Sequence, residues 1–244
     1  LPHFEADRCP HVLDGRFTPE EMEASLKAQL VSTDEDDNAV VTKDSFFAFH
    51  ASLLDEYPEQ EQHDLAEVLR WLASQPWCDG NIGMYGTSYS GFNSLQMACE
   101  QPPELKAVIA IYATDDRYTD DVHYMGGLLK WSDLLDYCHY MTALNALPPV
   151  PAVFGAGWRQ EWHGRIADHE PWLLTWLRHQ RRDRYWQHGS VRPGYERIRI
   201  PTMLVAGWAD GYRNNSFRTI EALSADGTPC RLLAGPWAHA STST

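Results

Sequence analysis

The sequence has no uninterrupted apolar stretch of 18 or more residues, which excludes an ordinary membrane-spanning helix. It also lacks a start methionine, and its first residues, LPHFEADRCP, have no charged-then-apolar leader pattern. The chain therefore reads as processed or partial from its first residue. Cysteine is sparse: Cys9, Cys78, Cys99, Cys138 and Cys230 are odd in number, widely spaced and never in a CxxC pair. This excludes a disulfide scaffold and a cysteine-based zinc site, and it fits a reducing, cytoplasmic compartment with no metal or other cofactor expected. Basic residues are outnumbered 20 to 34 and the net charge is -14. Nucleic acid is excluded as a partner, because phosphate binding needs a basic face.

Two scarcities are local. Residues 1–67 hold 17 acids and four bases (net -13), whereas residues 68–244 hold 17 acids and 16 bases (net -1). No glycine occurs between Gly15 and Gly80, although turns between strands and helices need one often. Residues 1–56 are therefore read as an acidic, atypical, weakly ordered segment. It carries one helix signal, a capping box of Thr18 and Glu21 around Pro19. An acidic run, Asp34 to Asp37, and apolar patches at Val40–Val41 and Phe46–Phe49 follow.

From residue 58 the patterning is regular. PEQEQHDLAEVLRWLASQ places Leu65, Val68, Leu69 and Leu72 on one helical stripe behind a proline start and acidic first turn. NIGMY (81–85), KAVIAIY (106–112), PTMLVAGW (201–208) and CRLLAG (230–235) read as buried strands. Helices are expected near 92–100 and over 213–224, and residues 126–180 read as largely helical, broken by PPVP at 148–151. Strands alternating with helices predict an α/β fold with a mostly parallel sheet covered on both faces. The predicted core comprises 57–125 and 196–244, with 126–195 as an inserted helical cap.

Gly86-Thr87-Ser88-Tyr89-Ser90-Gly91 lies between the first of these strands and a helix. A serine on a tight strand-to-helix turn is lifted clear of the sheet beside backbone N–H groups of a helix start. That predicts a nucleophile at Ser88 and an oxyanion donor in the Tyr89 N–H. The second position after the serine is Ser90 rather than glycine, and the glycine comes one residue later. A serine hydroxyl needs a base. His239, in GPWAH just past CRLLAG, stands at a strand end, and Asp210, in GWADGY just past PTMLVAGW, precedes it in the order Ser, Asp, His.

The run TDDRYTDDVHY (114–124) also follows a strand, which makes Asp115 and Asp116 rivals for the acid. It lacks the spacing of a calcium loop, which favours capping and ion pairing with Arg117 over metal binding. A second reading gives Asp115 or Asp116 to the substrate pocket, facing a cationic group. Trp131, Trp208 and Trp237 are candidate walls of an aromatic-lined pocket, and packing of the cap is the competing reading for the chain's tryptophans. Arg178 to Arg182 reads as the solvated face of a helix.

Residues 55–239 resemble the Xaa-Pro dipeptidyl-peptidase-like, cocaine esterase-like (CocE/NonD) serine hydrolase family. The resemblance rests on WLASQPWCDGNIGMYGTSYSGF (71–92), YATDDRYTDDVHYMGG (112–127), YWQHGSVRPGY (185–195), GWADGY (207–212) and GPWAH (235–239). It implies an α/β-hydrolase core, a Ser88–Asp210–His239 triad, a cap that shapes the acyl pocket, and no cofactor. It makes the elbow with Ser90 the family's own pattern. It also implies strands before the elbow, a tyrosine hydroxyl as a second oxyanion donor, and a β-sandwich after the core. Those features are not found here: Tyr57 is the only tyrosine before Tyr85, and the core is expected to be incomplete.

The function expected is hydrolysis of an ester, amide or short peptide through an acyl-enzyme on Ser88, with acyl transfer differing only in the final acceptor. The alternative is a truncated, catalytically silent relative that acts as a binding module or is a partial gene product.

Overall fold

The structure, a computed structural model, describes residues 31–33, 39–41 and 58–239. The described chain divides into two units: residues up to Glu67 with Tyr140–Trp172, and Val68–His139 with Leu173 onward. That division falls inside the span expected as a cap. The helix expected at Thr18, the acidic run 34–37 and the patch 46–49 lie outside the described residues. In the first unit β1 (Val31–Thr33) pairs antiparallel with β2 (Ala39–Val41).

Helix α1 (Pro58–Ala73) matches the expected stripe, with its proline start. After it come β3 (Ile82–Thr87), α2 (Tyr89–Glu100), β4 (Leu105–Ile111) and the short hairpin β5 (Tyr124–Met125) and β6 (Leu128–Leu129). The helices α3 (Trp131–Asn145), α4 (Pro151–Phe154), α5 (Trp158–Asp168), α6 (Trp172–Arg178) and α7 (Arg184–His188) follow. The chain then returns through a 3-10 turn (Arg192–Arg197) to β7 (Thr202–Gly207), α8 (Arg213–Ala225) and β8 (Cys230–Gly235). Residues 126–195 are thus helical after a two-stranded start.

The second unit is built on one sheet of order β3-β4-β7-β8 with every pairing parallel. Strand β7 is buried along most of its length, at Leu204, Val205 and Ala206, whereas β4 alternates, with Val108 and Ala110 buried and Ile109 38% exposed. The outer strands were expected to be buried as well. They instead alternate as β4 does: Tyr85 of β3 is 66% exposed beside its register partner Ile109, and Leu233 of β8 is 47% exposed. One face of the sheet is therefore less covered than the expected burial on both faces. Helix α2 is buried all round from Gly91 to Cys99. Burial pushes the Cys99 thiol up to about 12 and the Cys138 thiol to about 11, so neither is a reactive thiolate. Cys78, Cys99, Cys138 and Cys230 are all free thiols.

The loop after β4 is bolted to distant elements by its aspartates. Asp115 is fully buried and takes both fork nitrogens of Arg218, Nη2 at 2.7 Å and Nε at 3.1 Å. The Tyr195 hydroxyl also donates to it. Arg218 Nη1 reaches Asp120 at 2.8 Å, and Asn215 accepts from the Asp115 N–H and donates to the Asp120 carbonyl. A buried carboxylate tolerates desolvation only when paired and hydrogen-bonded in this way. The pairing of this run with Arg117 is made by Asp121, at 3.3 Å, whereas Asp115 takes the distant Arg218. Arg182, expected on a solvated helix face, lies beyond the end of α6 and donates to Asp116 at 3.0 Å.

Replacing Arg218 by methionine leaves Asp115 buried without its cation. A loss of about 3 kcal/mol in unfolding free energy is expected, read by urea denaturation. At the sheet end, a Cβ on Gly207 would sit 2.2 Å from the Trp237 carbonyl oxygen. Backbone must move to admit it, so Gly207→Ala is expected to cost more than about 2 kcal/mol in the same assay.

Candidate active site

Ser88 joins β3 to α2 with φ 62° and ψ -121°, a conformation that L-residues with side chains avoid. Contacts around the turn explain how it is held. The Ser88 N–H donates to the Ile111 carbonyl of β4 at 2.7 Å, and the Ser88 carbonyl accepts from the Phe92 N–H at 3.0 Å. A Cβ on Gly86 would lie 2.3 Å from Ser90 Cβ, and one on Gly91 would lie 2.8 Å from the Gly86 carbonyl oxygen. The bare backbone at Gly86 is therefore what admits Ser90 at the second position past the nucleophile candidate. Gly91 lets the helix settle on β3 and β4. Tyr89 is the first helical residue, at the end where N–H groups lack intrahelical acceptors.

The carboxyl ends of β7 and β8 are fastened together. Gly207 and Gly235 are cross-strand partners, the Trp208 N–H donates to the Gly235 carbonyl at 2.8 Å, and the Ala209 N–H donates to the Trp237 carbonyl at 3.0 Å. These bonds bring the turn after β7, with Asp210, beside the turn after β8, with His239. Asp210 Oδ2 meets His239 Nδ1 at 2.7 Å, and its Oδ1 accepts from the Tyr212 N–H. His239 Nε2 meets Ser88 Oγ at 2.8 Å. A carboxylate only accepts, so the Nδ1 proton faces Asp210 and Nε2 is left to take a proton from the hydroxyl. The Asp210 side chain is 1% exposed and that of His239 46%.

Two tyrosines flank the imidazole: Tyr212, edge-on at 5.2 Å, and Tyr112 at 6.0 Å with a 44° tilt. Tyr212 belongs to the GWADGY motif, and Tyr112 both closes a strand pattern and opens the YATDDRYTDDVHYMGG segment, but neither is a site candidate from the sequence. Behind them, the Arg117 guanidinium lies over the Phe92 ring at 4.0 Å and the Tyr89 ring at 5.6 Å. Arg117 and the buried Asp121 hold each other charged, and Asp121 also meets His123 Nδ1 at 2.9 Å. Burial first, and then the Asp121 charge, pushes the Tyr212 hydroxyl well above its ordinary value.

The remaining candidates are placed differently. Asp115 and Asp116 have both carboxylate oxygens engaged: Asp115 with Arg218 and Tyr195, Asp116 with Arg182 and the N–H groups of Tyr118 and Thr119. The Trp131 ring is 59% exposed at the start of α3. Trp208 is half exposed and stacks on Phe217 at 5.3 Å, and the Trp237 ring folds over Gly235, where a Cβ would meet it at 2.6 Å. Among the described residues no group of three His, Cys, Asp or Glu side chains is placed to hold a metal ion. No helix among them is long and apolar enough to cross a membrane.

Comparison with known proteins agrees with this architecture. Cocaine esterase from Rhodococcus sp. (strain MB1 Bresler) is 30% identical over 203 residues, covering 73% of this chain and 34% of the esterase. The crystal structure of an aminopeptidase from the marine sediment archaeon Thaumarchaeota archaeon shares the fold. Its TM-score is 0.54 at 18% identity, over 76% of this chain and 33% of that one. The chain thus spans about a third of the length of either protein. The mostly parallel sheet and its helices are those of an α/β-hydrolase core. The family profile of the X-Pro dipeptidyl-peptidase (S15 family) matches residues 53–241, a span that includes Ser88, Asp210 and His239. On that match the chain belongs to the X-Pro dipeptidyl-peptidase (S15) family.

Proposed function

We propose that the protein is a serine hydrolase that cleaves an ester or peptide carbonyl through an acyl-enzyme on Ser88. The observation that carries this reading is the unbroken chain of contacts from Asp210 to His239 at 2.7 Å and from His239 to Ser88 at 2.8 Å. It ends on a hydroxyl held at a helix start. Membership of a family described as X-Pro dipeptidyl-peptidases and the likeness to a cocaine esterase both support it.

In the proposed reaction Ser88 Oγ attacks the carbonyl carbon while its proton passes to His239 Nε2. Asp210 holds the ring in the required tautomer and stabilises the imidazolium. The oxyanion of the tetrahedral intermediate meets the Tyr89 N–H, reinforced by the positive end of α2. Collapse expels the alcohol or amine, which takes the proton from His239. Water, deprotonated by the same ring, then releases the acid and restores Ser88. Each step moves one proton between the substrate side and His239, so neither metal nor redox cofactor enters the scheme.

The first test is reaction with a fluorophosphonate probe and mass mapping of the adduct. Labelling confined to Ser88, absent in Ser88→Ala and abolished in His239→Ala, is expected. No labelling of a folded, monodisperse sample would sink the reading and leave a silent binding module. Among labelled variants, Asp210→Asn keeps the shape of the acid but turns an amide N–H donor toward Nδ1 where the carboxylate accepts, which favours the wrong tautomer. A fall of about 10⁴-fold in kcat on an activated ester such as p-nitrophenyl acetate is expected, with thermal stability retained.

A further inference from the structure

Among the described residues three non-glycine positions have positive φ: Ser88, Gln101 and Tyr112. Ser88 makes the elbow, and Gln101 closes α2 as a left-handed cap whose N–H returns to the Met97 carbonyl. Tyr112, at φ 50°, ends no helix and makes no tight turn into one. It sits one residue past β4, the strand between those that carry Ser88 and Asp210. An aromatic side chain in this region costs on the order of 1–3 kcal/mol and persists only where the surroundings over-determine it. They do: the Ile111 carbonyl before it accepts from Ser88, and the Tyr112 N–H donates to the Val205 carbonyl of β7 at 2.9 Å.

The bend sends the side chain inward. Tyr112 is 2% exposed, its ring lies against the His239 imidazole, and its buried hydroxyl has no hydrogen-bond partner. A buried donor without an acceptor costs about 1–3 kcal/mol more. Strain and an orphaned hydroxyl thus coincide at one residue, and that residue touches the candidate base. Two separate costs at one contact are the mark of a residue kept for the site and not for stability.

We propose that Tyr112 is a positioning residue for His239, its ring fixing the plane of the imidazole and its hydroxyl moderating the Asp210 charge that the imidazole feels. This rests on the reading of His239 as the base. The titratable groups facing the ring are Asp210 and Tyr212 from the turn after β7, Ser88 from the elbow, and Tyr112 itself, with the Arg117–Asp121 pair beyond Tyr212. Burial, and after it the Asp210 charge, pushes the Tyr112 hydroxyl above its ordinary value, so it stays a donor. With no hydrogen-bond partner to fix it, the O–H dipole orients in the field of the Asp210 charge, positive end toward it. Removing it therefore leaves a stronger negative field at the imidazole and stabilises the imidazolium.

The experiment is an NMR titration of the His239 ring in wild type and Tyr112→Phe, assigned with His239→Gln, which needs no turnover. Tyr112→Phe keeps ring and backbone, and an upward shift of the midpoint by about half a pH unit is expected. Tyr112→Asn removes the ring while tolerating the left-handed backbone. Loss of a buried ring lowers the melting temperature, so labelling is compared at a temperature where circular dichroism shows both proteins folded. Phosphonylation of Ser88 is expected to slow by about tenfold or more. An unchanged midpoint in the first variant together with a wild-type labelling rate in the second would overturn the proposal. A shifted midpoint in a protein whose Ser88 never labels would uphold the positioning role and defeat the hydrolase reading instead.

Discussion

The arrangement depends on a row of backbone hydrogen bonds at the carboxyl edge of the parallel sheet. Ser88 N–H to the Ile111 carbonyl, Tyr112 N–H to the Val205 carbonyl and Trp208 N–H to the Gly235 carbonyl run from β3 to β4 to β7 to β8, at 2.7, 2.9 and 2.8 Å. Each lies at or just past the end of a strand. They carry the sheet's pairing one step beyond its regular part, into the segments where the chain turns. Parallel strands all present the same end to that edge, so side chains more than a hundred residues apart in sequence converge there without any loop having to reach far. The separation between Ser88 and His239 is 151 residues, yet the contact between them is 2.8 Å.

Glycine makes this edge possible in two places. At the elbow, Gly86 and Gly91 let Ser90 and Ile111 approach closer than any Cβ would allow. At the far side, Gly207 and Gly235 are paired across β7 and β8, and both lie under Trp237. The Trp237 carbonyl and ring occupy the space that side chains would need, which draws the GPWAH turn down onto the GWADGY turn. The distance between Asp210 and His239 is thus a consequence of backbone packing at two glycines, with the Tyr212 N–H and Arg213 N–H closing the Asp210 turn.

What could be read from the sequence follows from the range of the interactions. Strand ends, the elbow and the order Ser88, Asp210, His239 are local patterns, and the structure does bring those three side chains together. The core strands and helices were legible because periodicity reports burial along a few residues. Ion pairs were legible only at short range. The pairing with Arg117 is found at Asp121, four residues on, whereas Asp115 and Arg218 are 103 positions apart and Asp116 and Arg182 are 66 apart. The half-exposed face shared by β3, β4 and β8 was equally invisible, because exposure of a sheet face is set by what packs on it and not by its letters. Tyr112 was hidden for a third reason: KAVIAIY reads as one continuous strand, and nothing in it announces a positive φ at the last residue.

The gradient of burial across the three meeting side chains bears on chemistry. The Asp210 side chain is 1% exposed and that of His239 46%. A buried carboxylate is poorly screened, so its influence on the imidazole is strong and directional. A half-exposed imidazole can exchange its proton with an incoming or leaving group. Were both buried, water would not reach the ring; were both exposed, the carboxylate would have little hold on the tautomer. The charge bookkeeping of the loop after β4 reinforces this contrast. Asp115 and Asp120 are met by Arg218, Asp116 by Arg182 and Asp121 by Arg117. Every one of these loop aspartates is met by an arginine, Asp115 and Asp120 sharing Arg218, so the negative field at His239 is governed by Asp210 and by the groups that touch it.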